Sequence, residues 1–372
     1  MVIPDLPVLL KEINGKQFSW LIIPSFAIIA LITRPLSGKL SDKVGRVFVM
    51  CVGAIVTALA CSFYLFIPLV SLFFINRAFH GICAGFTPTG FTAYADDIVP
   101  LNKRGEAMGI VGIFNNIGNA IGWVIGSKCT NDFGLNTTFV VASLLGIVAF
   151  FMFTTLKESI PVKHRFSHKL LRVKKHELVE RRVLMPGIIL FLVVFSSGAI
   201  LALIADFTTN IGVKNKGMYM AIYILSSLVV RFMAGRWSDR FGRKLITLLG
   251  CMILCASMMV LAFTHEISMY ALSSFLFGVG FGLISPSIFA WGADLSVPGY
   301  KGKAVGTLFI FMETGIIAGS SVTGLLYNNN PDNFSMCFLI SGILAFIPVF
   351  FLLDKKLKIK AERLSIIEEP FD

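Results

Sequence analysis

Apolar residues recur along this chain in stretches of about 20, separated by short loops rich in Lys and Arg. Eleven stretches predict helices, over residues 19–36, 47–67, 69–94, 107–127, 139–155, 184–205, 218–234, 245–263, 269–290, 304–326 and 334–353. A helix of about 20 residues crosses roughly 30 Å of hydrocarbon, so the pattern predicts an all-α polytopic membrane protein with eleven transmembrane helices. The odd count suggests a twelve-helix plan. The opening Met1-Val-Ile-Pro-Asp-Leu-Pro7 reads as the outer end of a further helix, so the first helix is expected to be missing from the N-terminal bundle.

The sequence also repeats. An offset of 197 residues carries Arg34 onto Arg231, Gly38 onto Gly235, Asp42 onto Asp239, Gly45 onto Gly242 and Arg46 onto Arg243. The same offset pairs Gly105, Gly109, Gly118 and Gly122 with Gly302, Gly306, Gly315 and Gly319. A constant offset through several helices predicts two bundles of like topology, related by an axis along the membrane normal. The expected divisions are an N-terminal bundle at 1–156 that lacks helix 1, a basic linker at 157–183, a six-helix C-terminal bundle at 184–353 and a tail at 354–372. The linker carries nine Lys and Arg against three Glu, as expected of a solvated segment at the cytoplasmic face.

Of the 372 residues, 56% are hydrophobic and 15% charged, and the mean hydropathy is +0.80. Soluble domains run at about 25% charged residues, so a soluble enzyme, a disordered chain and a secreted disulfide scaffold are excluded. The net charge of +12 would suit nucleic acid, but placement argues otherwise. When the loops are assigned alternately to the two sides, most Lys and Arg fall on one side, together with both copies of a Gly-x-x-Ser-Asp loop. The positive-inside rule makes that side cytoplasmic, and no nucleic-acid partner is needed. The C-terminus is then cytoplasmic too. Most of the seven cysteines fall within apolar runs, as small hydrophobes do.

Gly38-Lys-Leu-Ser-Asp-Lys-Val-Gly-Arg46 is the strongest local pattern, and it returns as Gly235-Arg-Trp-Ser-Asp-Arg-Phe-Gly-Arg243. Glycines permit a tight turn and close helix approach. Asp42 is expected at the start of the following helix, capping free N–H groups, and is four residues from Arg46, within pairing distance. The segment resembles motif A of the major facilitator superfamily, and the resemblance extends over nearly the whole chain. It implies that Gly38, Asp42, Gly45 and Arg46, with Gly235, Asp239, Gly242 and Arg243, form a conformational latch. The acidic pair Asp96 and Asp97 would then be its charge-relay partner.

Asn76-Arg-Ala-Phe-His-Gly81 is similar to motif B, whose intramembrane arginine is associated with proton coupling. Arg77 lies about seven residues, or roughly 10 Å, into its helix, where a guanidinium needs a cavity or a partner. His80 is one turn on, and imidazole ordinarily titrates near neutral pH. Gly109, Gly118, Gly122 and Gly126 resemble motif C of the drug/proton antiporter branch, with the last three on one helix face for close packing. Trp123 stands where that motif has proline. Glu313 is the only acid near the middle of any stretch, roughly 15 Å deep, and Asn116 is its counterpart in the first half. The sequence therefore points to Glu313, Arg77 and His80 for proton handling, and to Phe114, Asn115, Asn116 and Glu313 for the substrate cavity.

No P-loop, nucleophile elbow or metal-spaced Cys/His cluster is present, so neither enzyme chemistry, a cofactor nor a metal is expected. The resemblance implies a monomeric secondary transporter in the plasma (inner) membrane, moving a small molecule by alternating access with protons as the second partner. Proton-coupled efflux is the specific expectation. An uptake symporter or uniporter for a sugar or organic anion is the first alternative, and a transport-inactive truncated scaffold the second.

Overall fold

The computed structural model describes residues 1–353 except 3–4, 161–163, 173, 175–176, 214–216, 298–299 and 329, and leaves undescribed the side chains of 19, 20, 23, 123, 124, 127 and 168. The expected tail at 354–372 lies outside the described residues, as does the side chain of Trp123. Twelve α-helices are present among the described residues. They are α1 (Leu6–Glu12), α2 (Ile22–Lys43), α3 (Arg46–Phe63), α4 (Val70–Ile98), α5 (Arg104–Phe133), α6 (Leu135–Thr154), α7 (Leu184–Asn210), α8 (Met218–Phe241), α9 (Arg243–Ala262), α10 (Ile267–Leu295), α11 (Lys301–Tyr327) and α12 (Phe334–Leu353).

The eleven long helices match the eleven apolar stretches. Eight of the described helical segments are long and apolar enough by themselves to cross a membrane. Hydroxyls inside the spans bond to backbone carbonyls, of their own helix as Thr57 Oγ1 does to Gly53 at 2.9 Å or of a neighbour as Ser257 Oγ does to Ser273 at 2.8 Å, which satisfies the polar group without water. Leu225, Val229 and Phe232 of α8 and Leu144, Val148 and Phe151 of α6 are exposed apolar stripes, as expected of a surface that meets lipid.

The chain divides into two compact units. One comprises 1–98, 114–180 and 297–309; the other comprises 99–113, 181–296 and 310–372. The units are therefore not contiguous in sequence: the opening turns of α5 fall with α8 to α10, and those of α11 fall with α2 to α4. The linker as far as Glu180 belongs to the first unit.

In the first unit, α1 buries Leu6 and Leu10 in a cluster with Tyr64, Phe73 and Phe139, whose Tyr64 and Phe139 rings stack at 5.2 Å. In the second unit, Phe207, Tyr270, Phe334 and Phe338 form a comparable ring cluster. The 197-residue offset carries Leu6 and Leu10 onto Leu203 and Phe207, both buried near the end of α7. The seven cysteines are all free thiols.

Candidate functional site

The site begins where α2 stops. Val44 N and Gly45 N donate to the Leu40 carbonyl, and Gly45 then takes φ +151°, a conformation that side chains resist. The chain reverses there, and α3 opens at Arg46, whose side chain is fully buried. Asp42 thus lies in the last turn of α2 rather than at the start of the next helix, and it does not cap α3. Its carboxylate is an acceptor for α11 instead: Gly302 N donates to Oδ1 at 2.7 Å and Lys303 N to Oδ2 at 2.8 Å, across 260 positions of sequence. A carboxylate on the free amides of a helix start meets both unsatisfied donors and the positive end of the helix dipole.

Arg46 completes the cluster. Its Nη1 donates to Asp42, four residues back, and to Ser41 Oγ at 3.2 Å. Its Nε donates to Asp97 Oδ2 at 3.0 Å. Lys301 Nζ lies 3.1 Å from Asp97 Oδ1 and 3.3 Å from Asp96 Oδ2. Of the expected acidic pair, Asp97 is the partner of Arg46, and Asp96 pairs with Lys301. Asp97 lies beyond the apolar span. Burial pushes its carboxyl up, but Arg46, Ser159 and Lys301 more than offset this and leave it below the ordinary carboxylate value.

Gly38 belongs to the interior of α2 and is not a turn residue. A Cβ there would meet the Gly302 carbonyl oxygen at 2.8 Å, and one on Gly302 would meet the Gly38 oxygen at 2.7 Å. The two glycines let the backbones of α2 and α11 approach closely enough for Asp42 to reach its amides.

The second unit builds the same cluster. Asp239 accepts from Gly105 N at 2.9 Å and Glu106 N at 3.0 Å, at the start of α5. Arg243 donates to Asp239, to Ser238 Oγ at 3.2 Å and, through Nε, to Asp294 Oδ2 at 2.9 Å. Arg104 Nη1 reaches Asp294 Oδ1 at 3.0 Å, where the first unit has Lys301 on Asp97. Asp294, Arg104 and Lys301 did not stand out in the sequence, although the offset that pairs Asp42 with Asp239 also carries Asp97 onto Asp294 and Arg104 onto Lys301.

The remaining candidates lie elsewhere. Arg77 is 1% exposed; its Nε donates to the Ile22 carbonyl at 3.0 Å and its guanidinium lies 4.2 Å from the Phe26 ring centre. His80, buried one turn on, packs edge-on against Phe26 and near Tyr64, and its Nδ1 has no hydrogen-bond partner among the described residues. Both line a cavity of about 330 Å³ in the first unit, with Thr57, Cys61 and Thr87.

The glycines of α5 do not share one packing partner. Gly109 faces the Arg231 carbonyl, Gly122 and Gly126 face Met1, and Gly118 has no neighbour within 4 Å, so the expected packing is not made at Gly118. With Trp123 in place of proline, α5 runs unbroken.

Phe114 and Asn115 are exposed, with Asn119 Nδ2 donating to Asn115 Oδ1 at 2.8 Å, and Asn116 is half-buried. Glu313 is half-buried in α11 beside Met312. Met312 lines a cavity of about 190 Å³ in the second unit with Tyr223, Phe277 and Phe281. The linings of these two cavities do not include Phe114, Asn115, Asn116 or Glu313.

The family model for the Major Facilitator Superfamily matches residues 1–213 and 186–366. Among characterised relatives, Multidrug resistance protein 2 of Bacillus subtilis (strain 168) is 26% identical over 350 residues, covering 89% of this chain and 85% of the relative. Quinolone resistance protein NorA of Staphylococcus aureus (strain COL) is 24% identical over 335 residues, covering 88% and 86%. Among solved structures, the human organic anion transporter MFSD10 superposes with a TM-score of 0.79 at 19% identity, over 94% of this chain and 89% of that one. The proton:xylose symporter XylE superposes with a TM-score of 0.77 at 15% identity, over 94% and 90%.

Proposed function

Because this chain belongs to the Major Facilitator Superfamily, and so is a multi-pass membrane transporter, we propose that it exports a small molecule in exchange for protons by alternating access. The duplicated latch carries this reading. Each copy holds a helix start by one carboxylate and two backbone N–H donors, bonds that open without breaking any covalent link or any helix. Asp42 and Asp239 are the gating acceptors, Arg46 and Arg243 orient them, and Asp97 and Asp294 hold the arginines in place.

Efflux is favoured over uptake because relatives at about a quarter identity are named for multidrug and quinolone resistance. Glu313, halfway along α11, is the group assigned to the proton, with Arg77 and His80 as the charged and titratable groups of the first unit. Phe114, Asn115 and Asn116 remain the proposed substrate-facing residues. The same proposal has it act in the plasma membrane as a monomer, with its C-terminus in the cytoplasm.

An uptake symporter is the second reading, favoured by the unbroken α5 at Trp123. The test is reconstitution in vesicles with an imposed proton gradient and a fluorescent lipophilic cation. Movement of the cation against the direction of proton flow, lost in Glu313→Gln, is expected. Co-directional movement, or coupling that survives Glu313→Gln, would overturn the assignment.

A further inference from the structure

The linker between the two halves does more than connect them: among the described residues, it bonds to the latch of the first unit. Glu158 spreads its carboxylate over the first amides of α3: Arg46 N donates to Oε1 at 2.8 Å and Val47 N to Oε2 at 3.2 Å. The residue before them is Gly45, which has no side chain with which to cap this helix. A Cβ at Gly45 would occupy the space of the Glu158 carboxylate. At the matching Gly242 of the second unit a Cβ would meet nothing within 4 Å. Gly45 therefore has a second role besides its positive φ, which is to admit an acid from the linker.

The next linker residue reaches the other side of the same arginine. Ser159 Oγ donates to Asp97 Oδ2 at 2.8 Å, the oxygen that also accepts from Arg46 Nε. Further along, His164 N donates to the Lys43 carbonyl at 2.9 Å, and Lys39 Nζ binds Glu177 at 2.8 Å. Glu180 closes the run, pairing with Lys303, one of the two residues whose amides Asp42 holds. All three linker glutamates are thus bonded to the elements that make the latch.

The effect shows in burial. The Arg46 and Asp97 side chains are 1% and 15% exposed, against 12% and 34% for Arg243 and Asp294, which make the same bond at nearly the same length. Charge-assisted bonds strengthen as water is excluded, and a backbone amide pinned by a carboxylate fixes the residue that bears it.

We propose that Glu158 and Ser159 are positioning residues of the Asp42–Arg46–Asp97 latch, so that the start of the linker is a working part of the gate in the first unit. This rests on reading the cluster as a gate, but its test reads the latch bonds directly and does not depend on transport. Hydrogen exchange of the full chain in lipid nanodiscs would be followed at two segments, 44–50 and 300–306. Loss of a charged acceptor at 44–50 is expected to speed exchange there by about tenfold or more in Glu158→Ala.

The decisive reading is at 300–306, which Glu158 does not touch. There, too, Glu158→Ala is expected to speed exchange several-fold, with Glu158→Gln giving a smaller change and Asp42→Asn marking full release. Ser159→Ala should act in the same direction while leaving 44–50 nearly unchanged. Faster exchange confined to 44–50 would make Glu158 an ordinary helix cap and overturn the proposal. Should Glu158→Ala fail to fold, Ser159→Ala decides alone: unchanged exchange at 300–306 would refute it.

Discussion

Asp97 and Asp294, 197 positions apart, each hold an arginine through Oδ2 and a second cation through Oδ1. The two constellations share the same Asp and Arg at matching positions, with Lys301 where the other has Arg104, and their arginine contacts differ by only 0.1 Å, at 3.0 and 2.9 Å. Such agreement is what duplication of a unit produces when both copies keep the same constraint. They differ in burial, and that difference makes the first prediction.

Asp42→Asn should destabilise more than Asp239→Asn. Arg46 has no solvent to turn to once its partner is neutral, whereas Arg243 is partly exposed. Breaking a buried pair from one side costs about 3–5 kcal/mol, and a partly solvated one less. Thermal unfolding of both variants in the same detergent checks this, and equal shifts would count against a role for burial.

Gly38→Ala and Gly118→Ala should separate cleanly. The first drives a methyl toward the Gly302 carbonyl oxygen and forces α2 and α11 apart, so both unfolding temperature and transport should fall. The second meets open space within a helix, where alanine is favoured over glycine by about 0.5–1 kcal/mol, so stability should hold or rise. A loss at Gly118 would show that its face has a partner in the membrane.

Acid should weaken the first latch through Asp97. Its carboxyl is held below the ordinary value, so its contribution is complete above about pH 4 and is lost as pH falls through the lowered value. Stability measured from pH 6 to pH 3 should decline more steeply in the parent than in Asp97→Asn. Parallel curves would remove Asp97 from the acid response.

Arg77→Lys, which preserves charge, should not preserve stability. Lysine loses the Nε donor to the Ile22 carbonyl and the guanidinium placed 4.2 Å from the Phe26 ring centre, and a hydrogen bond from a charged donor is worth about 1.5–3 kcal/mol. A stability loss in Arg77→Lys comparable to that in Arg77→Gln would identify geometry as what counts at this position. Full recovery in Arg77→Lys would identify charge.

The sequence by itself determined the membrane class, the eleven long helices and the twofold repeat. Apolar run length and a fixed offset are local or pairwise properties that survive without coordinates. It also paired Asp42 with Arg46 through their spacing of four, while the acidic pair Asp96 and Asp97 was joined to them by the family resemblance. It did not show that Asp42 ends α2 rather than begins α3, that Gly38 lies inside a helix, or that Gly118 packs on nothing. Those outcomes depend on where the backbone turns and on what lies opposite. Nor could it show that the acceptors of Asp42 are bound by Gly302 and Lys303, since a backbone N–H carries no side-chain signature. Only the tertiary structure brought these amides to Asp42 and Glu158 to Gly45, because a helix start left without side-chain caps must find its acceptors wherever the fold supplies a buried carboxylate.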